Sequence, residues 1–261
     1  MSARRIIAAW CAALAAPPFL PAAAAELSLE QVKERLQAAS AAAPADLAGR
    51  DLSDLDLSGL DLRGATLEGA SLFGAKLVNC DFRGGNLRKA NLNGAWLMGA
   101  NFSGADLSGA SLLSVVVLGG EVKQRPTFAG AKMRGVRMIA DLPNADLAGA
   151  DLSEARIGVN IRNQGMGQMR TDLSSANLAG VNLAGADVNR ALMTFANLRG
   201  SNLRGANFFR VKLAGADLSS ADVTGTDFSE ADMDGVVLRH VKGLDQAKGL
   251  DSAQNVDRAV R

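Results

Sequence analysis

Large rings are scarce in this sequence. It holds nine Phe, two Trp and no Tyr, 4% of the chain, which argues against a globular core built on aromatic side chains even though 48% of the residues are hydrophobic. Neither charge sign is in excess. With 28 Lys and Arg against 27 Asp and Glu the formal total is +1, so no electrostatic signature calls for nucleic acid or an anionic membrane surface. Histidine occurs once, at His240, and cysteine twice, at Cys11 and Cys80. No second His and no paired Cys exist to build a metal site around His240, which reads as a solvated side chain. Nothing resembles a nucleophile paired with a base, so no enzyme activity, cofactor or metal is expected.

The first 25 residues differ from the rest. Arg4 and Arg5 form a basic start, Ile6 to Ala16 an apolar run with Trp10 and Leu14, and Pro17, Pro18 and Pro21 lead into four alanines before Glu26. That order describes a secretory signal peptide over 1–25, with Ala23 and Ala25 in the small-residue cleavage pattern. The apolar run is short of the about 20 residues of a membrane span and is cut by prolines, so no transmembrane span is expected after processing. Trp10 stands where lipid attachment at Cys11 would need a small residue. Removal of the segment would take away two arginines, bringing the formal charge from +1 to −1, and would leave Cys80 without a partner for an internal disulfide.

What the chain has in abundance is repetition. From Leu52 every fifth residue is Leu or Phe as far as Leu112, within a pattern of small residue, Asp or Asn, Leu or Phe, polar residue, Gly, as in "ADLSG", "ANLNG" and "ADLAG". Taking the Leu or Phe as the centre, fourteen centres run from Leu52 to Val117. Three more stand at Phe128, Met133 and Met138, four run from Leu142 to Ile157, and fourteen from Leu173 to Leu238. A period of five suits neither a helix nor an alternating strand, but it does suit a coil with a corner every five residues. The centre and the small residue two before it then point inward, Asp or Asn and the residue after the centre point outward, and Gly takes the positive φ of a tight turn.

These residues resemble the pentapeptide-repeat family, whose pattern is A(D/N)LXX, over about residues 46–240. The resemblance implies an all-β solenoid, a right-handed quadrilateral β-helix with four pentads per coil. Nearly nine coils would then form a rod of roughly 40 Å at the usual strand spacing.

The register breaks three times. Val117 to Phe128 is one residue more than two pentads, Met138 to Leu142 one fewer than one, and Ile157 to Leu173 one more than three. Keeping the first register would bury Lys132 and Arg137 without partners, so the shifts are real. Loops or bulges are expected as excursions near 119–126 and 158–170. Residues 26–45 read as an N-terminal cap helix and linker, because Ser28 and Gln31 form a capping-box pattern and Leu29, Val32 and Leu36 share a stripe. Residues 241–261, where the spacing lengthens to six through "GLDQAK", "GLDSAQ" and "NVDRAV", read as a C-terminal cap or tail fed by Leu244, Leu250 and Val256.

Several residues invite a chemical reading and resist it. Cys80 occupies the small inward position and reads as an inert packed thiol. Asp106, Asp146, Asp151, Asp217 and Asp222 look like calcium ligands, yet Asn91, Asn101, Asn177 and Asn202 fill the same slot, so the slot is polar for structural reasons. Met166 and Met169 would offer a soft ion only two thioethers.

A binding role remains. The first reading is a non-catalytic binding or scaffold protein of the bacterial cell envelope, exported and periplasmic, that engages a protein or other envelope macromolecule through the faces and loops of a rigid β-helix. The alternative comes from the family resemblance alone: some members mimic duplex DNA and inhibit DNA gyrase. That role needs a strongly acidic rod and a cytoplasmic address, which the charge and the export signal oppose. Two candidate partner surfaces follow. With residues 20 apart stacked, Val78, Trp96, Met98, Val116 and Leu118 share outward slots of one face, and Phe73 and Leu113 adjoin them as an apolar strip. Either the excursion after Leu118 folds back over the strip, or a partner or a second copy covers it. The other surface is one coil that carries Leu192, Arg199, Arg204 and Phe209 outward, with Phe195 and Arg210 at corners, an interface-like composition.

Overall fold

The computed structural model describes residues 26–117, 124–158 and 170–261. Residues 1–25, expected to be a signal peptide, Leu118 and Met166 and Met169 lie outside the described residues, as do 119–123 and 159–169 of the two expected excursions.

The pentads stack as coils. Parallel bridges join outward residues twenty apart, as in Asp46 to Thr66, Thr66 to Asn86 and Asn86 to Asp106 on the first face. The second, third and fourth faces repeat the pattern from Asp51, Asp56 and Asp61. Twenty residues at five per side is four pentads per coil. All the centres from Leu52 to Leu238 are buried, and Leu47, also fully buried, is one centre earlier than the count from Leu52. Alanines two before the centres, such as Ala75, Ala95 and Ala150, close the interior. On the fourth face Phe82, Phe102 and Phe128 stack with ring centroids 4.7 and 5.1 Å apart and planes within 2° and 4° of parallel.

At three polar inward positions the proton goes to a carbonyl of a neighbouring turn, whereas the hydroxyl of buried Ser201 has no hydrogen-bond partner among the described residues. The Cys80 thiol donates to Leu57 O at 3.0 Å, Thr226 Oγ1 to Leu203 O at 2.6 Å and Thr171 Oγ1 to Ile157 O at 2.9 Å. The outward Asp or Asn accepts from the backbone two residues on. Asp51 Oδ1 accepts the Ser53 N–H at 3.0 Å, Asn101 Oδ1 that of Ser103 at 2.9 Å and Asp217 Oδ1 that of Ser219 at 2.8 Å. Either residue serves, because the oxygen is what the turn needs. Asparagine adds a donor. Asn177 Nδ2 reaches Asp146 Oδ1 at 3.0 Å, and Asn197 Nδ2 reaches Asn177 Oδ1 at 3.2 Å, so on these rungs an amide bonds to the oxygen stacked beside it.

The register breaks have distinct structures. Asn101 pairs with Thr127 rather than with the residue twenty on, and Gly99 N donates to Gln124 O at 2.9 Å. One pentad and six additional residues therefore separate Val117 from Phe128, in place of two pentads and one residue. Likewise Asp141 pairs with Asp172 and Asp146 with Asn177. Eleven additional residues and one pentad separate Ile157 from Leu173, in place of three pentads and one. The short step from Met138 to Leu142 is a tightened corner. Strand β1 (Ser111–Val115) lies parallel to β2 (Arg137–Ala140), Leu113 facing Ile139 and Val115 facing Ala140, so Ser114 bulges at φ 54° where its partner corner lacks a residue.

At the N-terminal end α1 (Leu29–Ala38) is held by the reciprocal Ser28 and Gln31 capping bonds. Val32 is buried, and Leu29 and Leu36 pack against the core. Beyond Leu238 the six-residue spacing still makes rungs. Lys242, Lys248, Gln254 and Val260 pair with Asp222, Asp227, Asp232 and Val237, the extra residues being taken up in part by 3-10 turns at Leu244–Gln246 and Val256–Arg258. Leu244, Leu250 and Val256 sit half-buried over the core.

Replacing Phe102 by Asp would place a carboxylate between two rings with no partner, at a cost on the order of several kcal/mol. Asn101→Asp keeps the acceptor for Ser103 and should change stability by less than about 0.5 kcal/mol. Thermal unfolding of both variants checks the pair, and equal melting temperatures would contradict the inward and outward assignment.

Acid should destabilise the coils. The Arg63 side chain, donating from Nε to Asp61 Oδ1 at 2.8 Å, holds that carboxyl down at about 2, against an opposing effect of partial burial and with help from the Arg63 N–H. Asp51 and Asp222 are also lowered, chiefly by hydrogen bonds from the side chains of Ser53 and Thr224 and then by their backbone N–H groups. A carboxyl lowered in the folded state leaves the unfolded chain binding more protons, so the stability is present above about pH 4 and is lost as pH falls toward about 2. Each exposed group contributes little alone. The melting temperature should be level from pH 7 to 5 and decline between about 4 and 2; a flat or rising profile there would count against it.

Candidate functional site

The apolar strip lies where the second and third faces meet. Trp96 bridges Lys76 on one side and Val116 on the other along the third face, while Phe73 and Leu113 lie on the second face after the centres Leu72 and Leu112. The corner between them is turned by Gly74 and Gly94 at φ 65° and 69°, where a side chain would be strained and would also rise between the two faces. Phe73 is 51% exposed and Trp96 41%; Val78, Leu113 and Val116 are half-buried. Asn93 interrupts the strip between Phe73 and Leu113. Its Oδ1 is already engaged by the Leu113 N–H at 2.9 Å and the Ser111 hydroxyl at 2.7 Å.

Two corrections apply to the strip. Met98, expected on its open surface, is buried at 4% exposure, on the rung where Gly99 pairs with Gln124 after the six additional residues. Ile139 joins the strip unforeseen, because the six additional residues before Phe128 bring Met138 onto Leu112 and hence Ile139 onto Leu113, and it is half-buried like Leu113. The eleven-residue step from Val117 to Phe128 carried the signal, but it does not by itself distinguish one pentad and six residues from two pentads and one. Leu118 lies outside the described residues.

The second candidate surface does not come together. Leu192 stands on the third face between Asp172 and Lys212, Phe195 at the next corner, and Arg199, Arg204 and Phe209 follow on the fourth, first and second faces. Consecutive pentads go round the rod, so a single coil cannot present them all on one side. Arg199 is tied to Asp217 at 3.1 Å and Arg204 to Asp222 at 3.2 Å, one coil further on. Phe195 is 70% exposed and lies over the next corner, where a Cβ on Gly215 would stand 2.5 Å from its ring. Only Phe209 and Arg210 remain neighbours, the guanidinium 4.9 Å from the ring centre, with Arg190 on the same ring at 5.6 Å.

Reactive chemistry is sparse among the described residues. Burial pushes the Cys80 thiol up to about 12, which keeps it protonated and inert at neutral pH. His240 is exposed at a corner, and no group of three or more His, Cys, Asp or Glu is placed to hold a metal ion among the described residues.

The comparisons with known proteins agree with the period. A family model for pentapeptide repeats matches residues 45–77, 75–112, 171–208 and 212–242. No curated protein matches the chain. Among solved structures the chain is similar to HetL, a pentapeptide repeat protein involved in heterocyst differentiation regulation from the cyanobacterium Nostoc, at 27% identity over 90% of this chain and 100% of that one, with a TM-score of 0.39. It is similar to a pentapeptide repeat protein of the Arabidopsis thaliana thylakoid lumen at 26% identity over 45% of this chain and 72% of that one, with a TM-score of 0.27. QnrB1, a plasmid-mediated fluoroquinolone resistance protein, is 20% identical over 76% of this chain and 90% of its own, with a TM-score of 0.32. With the repeat matched over half of the sequence and its centres stacked rung upon rung, the chain belongs to the pentapeptide-repeat family.

Proposed function

We propose that the protein is a non-catalytic binding or scaffold protein of the bacterial cell envelope, wound as the right-handed quadrilateral β-helix that the family resemblance implies. The observation that carries the binding role is the strip of Phe73, Trp96, Leu113, Val116 and Ile139 across adjoining coils. Single exposed apolar residues are ordinary, whereas a run of them on successive rungs is the usual mark of a contact surface. A rigid stack presents that surface without further ordering of the backbone, which lowers the entropic cost of binding.

The envelope address rests on the order of basic, apolar and small residues in 1–25. No helix among the described residues is long and apolar enough to cross a membrane. A rod acting as a DNA mimic would need a strong negative charge, and the formal total of +1 does not supply it.

Processing at residue 25 would leave Trp96 as the sole tryptophan, so its fluorescence reports on the strip alone. The isolated protein should show a partly wetted indole that shifts to the blue and resists acrylamide quenching when an envelope partner binds. Phe73→Ser combined with Val116→Ser should weaken that partner about tenfold or more. A partner held equally by the double variant would remove the strip as its site, and recovery of the protein from the cytoplasm with residues 1–25 intact would overturn the envelope assignment.

A further inference from the structure

One corner of the rod is held by cations in a chain whose charges otherwise balance. Arg190 and Arg210 stand at the turn from the second to the third face on successive coils, about 4.8 Å apart at strand spacing, and Arg170, two residues before Asp172 as Arg190 is before Leu192, stands one rung earlier. Their registry is set by the backbone. Arg190 N donates to Phe209 O at 2.8 Å and Arg210 N to Ser229 O at 3.0 Å, and Thr171, next to Arg170, is pinned through its hydroxyl to Ile157 O. Together with Lys212, Glu230 and Gln254 the three arginines line a cavity of about 140 Å³.

The cations outnumber the acids around it. Arg210 is paired with Glu230 at 2.6 Å and Lys212 with Asp232 at 3.4 Å. Arg170 and Arg190 have no carboxylate within ion-pair reach among the described residues; Arg190 instead lies against the Phe209 ring. On the second face beside this corner, Arg137 bridges Arg156 on successive coils, and neither is in an ion pair among the described residues. Like charges stacked across a parallel ladder repel. Elsewhere on the rod arginines are interleaved with acids, as Arg63 and Arg83 are with Asp61 and Asp81.

We infer that this corner is a binding site for a phosphate-type oxyanion, received in the cavity between Arg170, Arg190 and Arg210. The planar fork of a guanidinium offers parallel N–H donors that match two oxygens of a tetrahedral anion. Three forks on successive rungs can address the anion from one side, and Lys212 adds a point charge at the cavity wall. The Phe209 ring holds both the Arg190 and the Arg210 guanidinium against it. Glu230 lines the cavity and pairs with Arg210, so it sets the affinity by competing for that guanidinium. The site is separate from the apolar strip and stands or falls without it.

Titration calorimetry of the full protein with inorganic phosphate at low ionic strength tests the inference. Saturable binding is expected, weakened tenfold or more in R190Q and R170Q and falling with added salt. R63Q on the fourth face should leave it unchanged. Glu230→Gln frees Arg210 and should tighten binding severalfold, a gain that a misfolded variant would not produce. Sedimentation with phosphatidylcholine vesicles, with and without phosphatidate, separates the sources of the anion. Binding to phosphatidate vesicles that R190Q abolishes makes a lipid headgroup the natural carrier, and binding to phosphate with none to vesicles makes it a soluble or polymer-borne group. No saturable binding to either, or equal loss in R63Q and R190Q, overturns the site.

Discussion

In every coil the N–H of a centre donates to the carbonyl just before the centre of the next coil, as Leu52 N does to Ser71 O at 2.8 Å, and Ser71 N returns to Arg50 O at 2.9 Å. This pairing constrains everything else. A coil can close onto its neighbour only if the chain returns after a fixed path of four sides, so any extra residue must leave the path and any missing one must be absorbed at a corner. The six and eleven additional residues between paired rungs leave the rungs beyond them in register, because Thr127 and Asp172 each re-enter on the proper face. The missing residue before Leu142 is met by the bulge at Ser114.

The same constraint explains why the polar groups are so uniform. A coil has room inside for one large side chain and one small one per side, so the turn must be stabilised from outside, and an Asp or Asn oxygen does it by accepting the N–H two residues on. Carboxylates engaged in this way are accounted for by the turns they hold. Their lowered pKa values report turn formation and arginine pairing, and the stack feels acid through many small contributions.

Surface character is the remaining freedom. Because the backbone bonds and the buried column are the same in each pentad, outward slots can be changed with little effect on folding, and one rod can carry an apolar strip on two adjoining faces and a cationic corner on the coils that follow it. Side chains gather into a surface only when they lie on successive rungs. Leu113 and Ile139 do so on one ladder, Trp96 and Val116 on the adjoining one, and Arg170, Arg190 and Arg210 further along the same edge; Leu192, Arg199, Arg204 and Phe209 do not.

The five-residue period by itself determined the inward centres, the outward Asp and Asn and the corner glycines, because a local turn repeats with the chain and needs no distant partner to be recognised. Ser28 with Gln31 announced the helix α1 for the same local reason. Which residues become neighbours across coils was decided by the tertiary structure. The count from Val117 to Phe128 admits two pentads and one residue or one pentad and six, and only the rung pairing of Asn101 with Thr127 distinguishes them. The burial of Met98, the arrival of Ile139 beside Leu113 and the alignment of Arg170 with Arg190 all follow from those pairings. Bridges between coils join residues nineteen to thirty-one apart, a distance at which a periodic sequence offers several equivalent registers and the packed stack admits one.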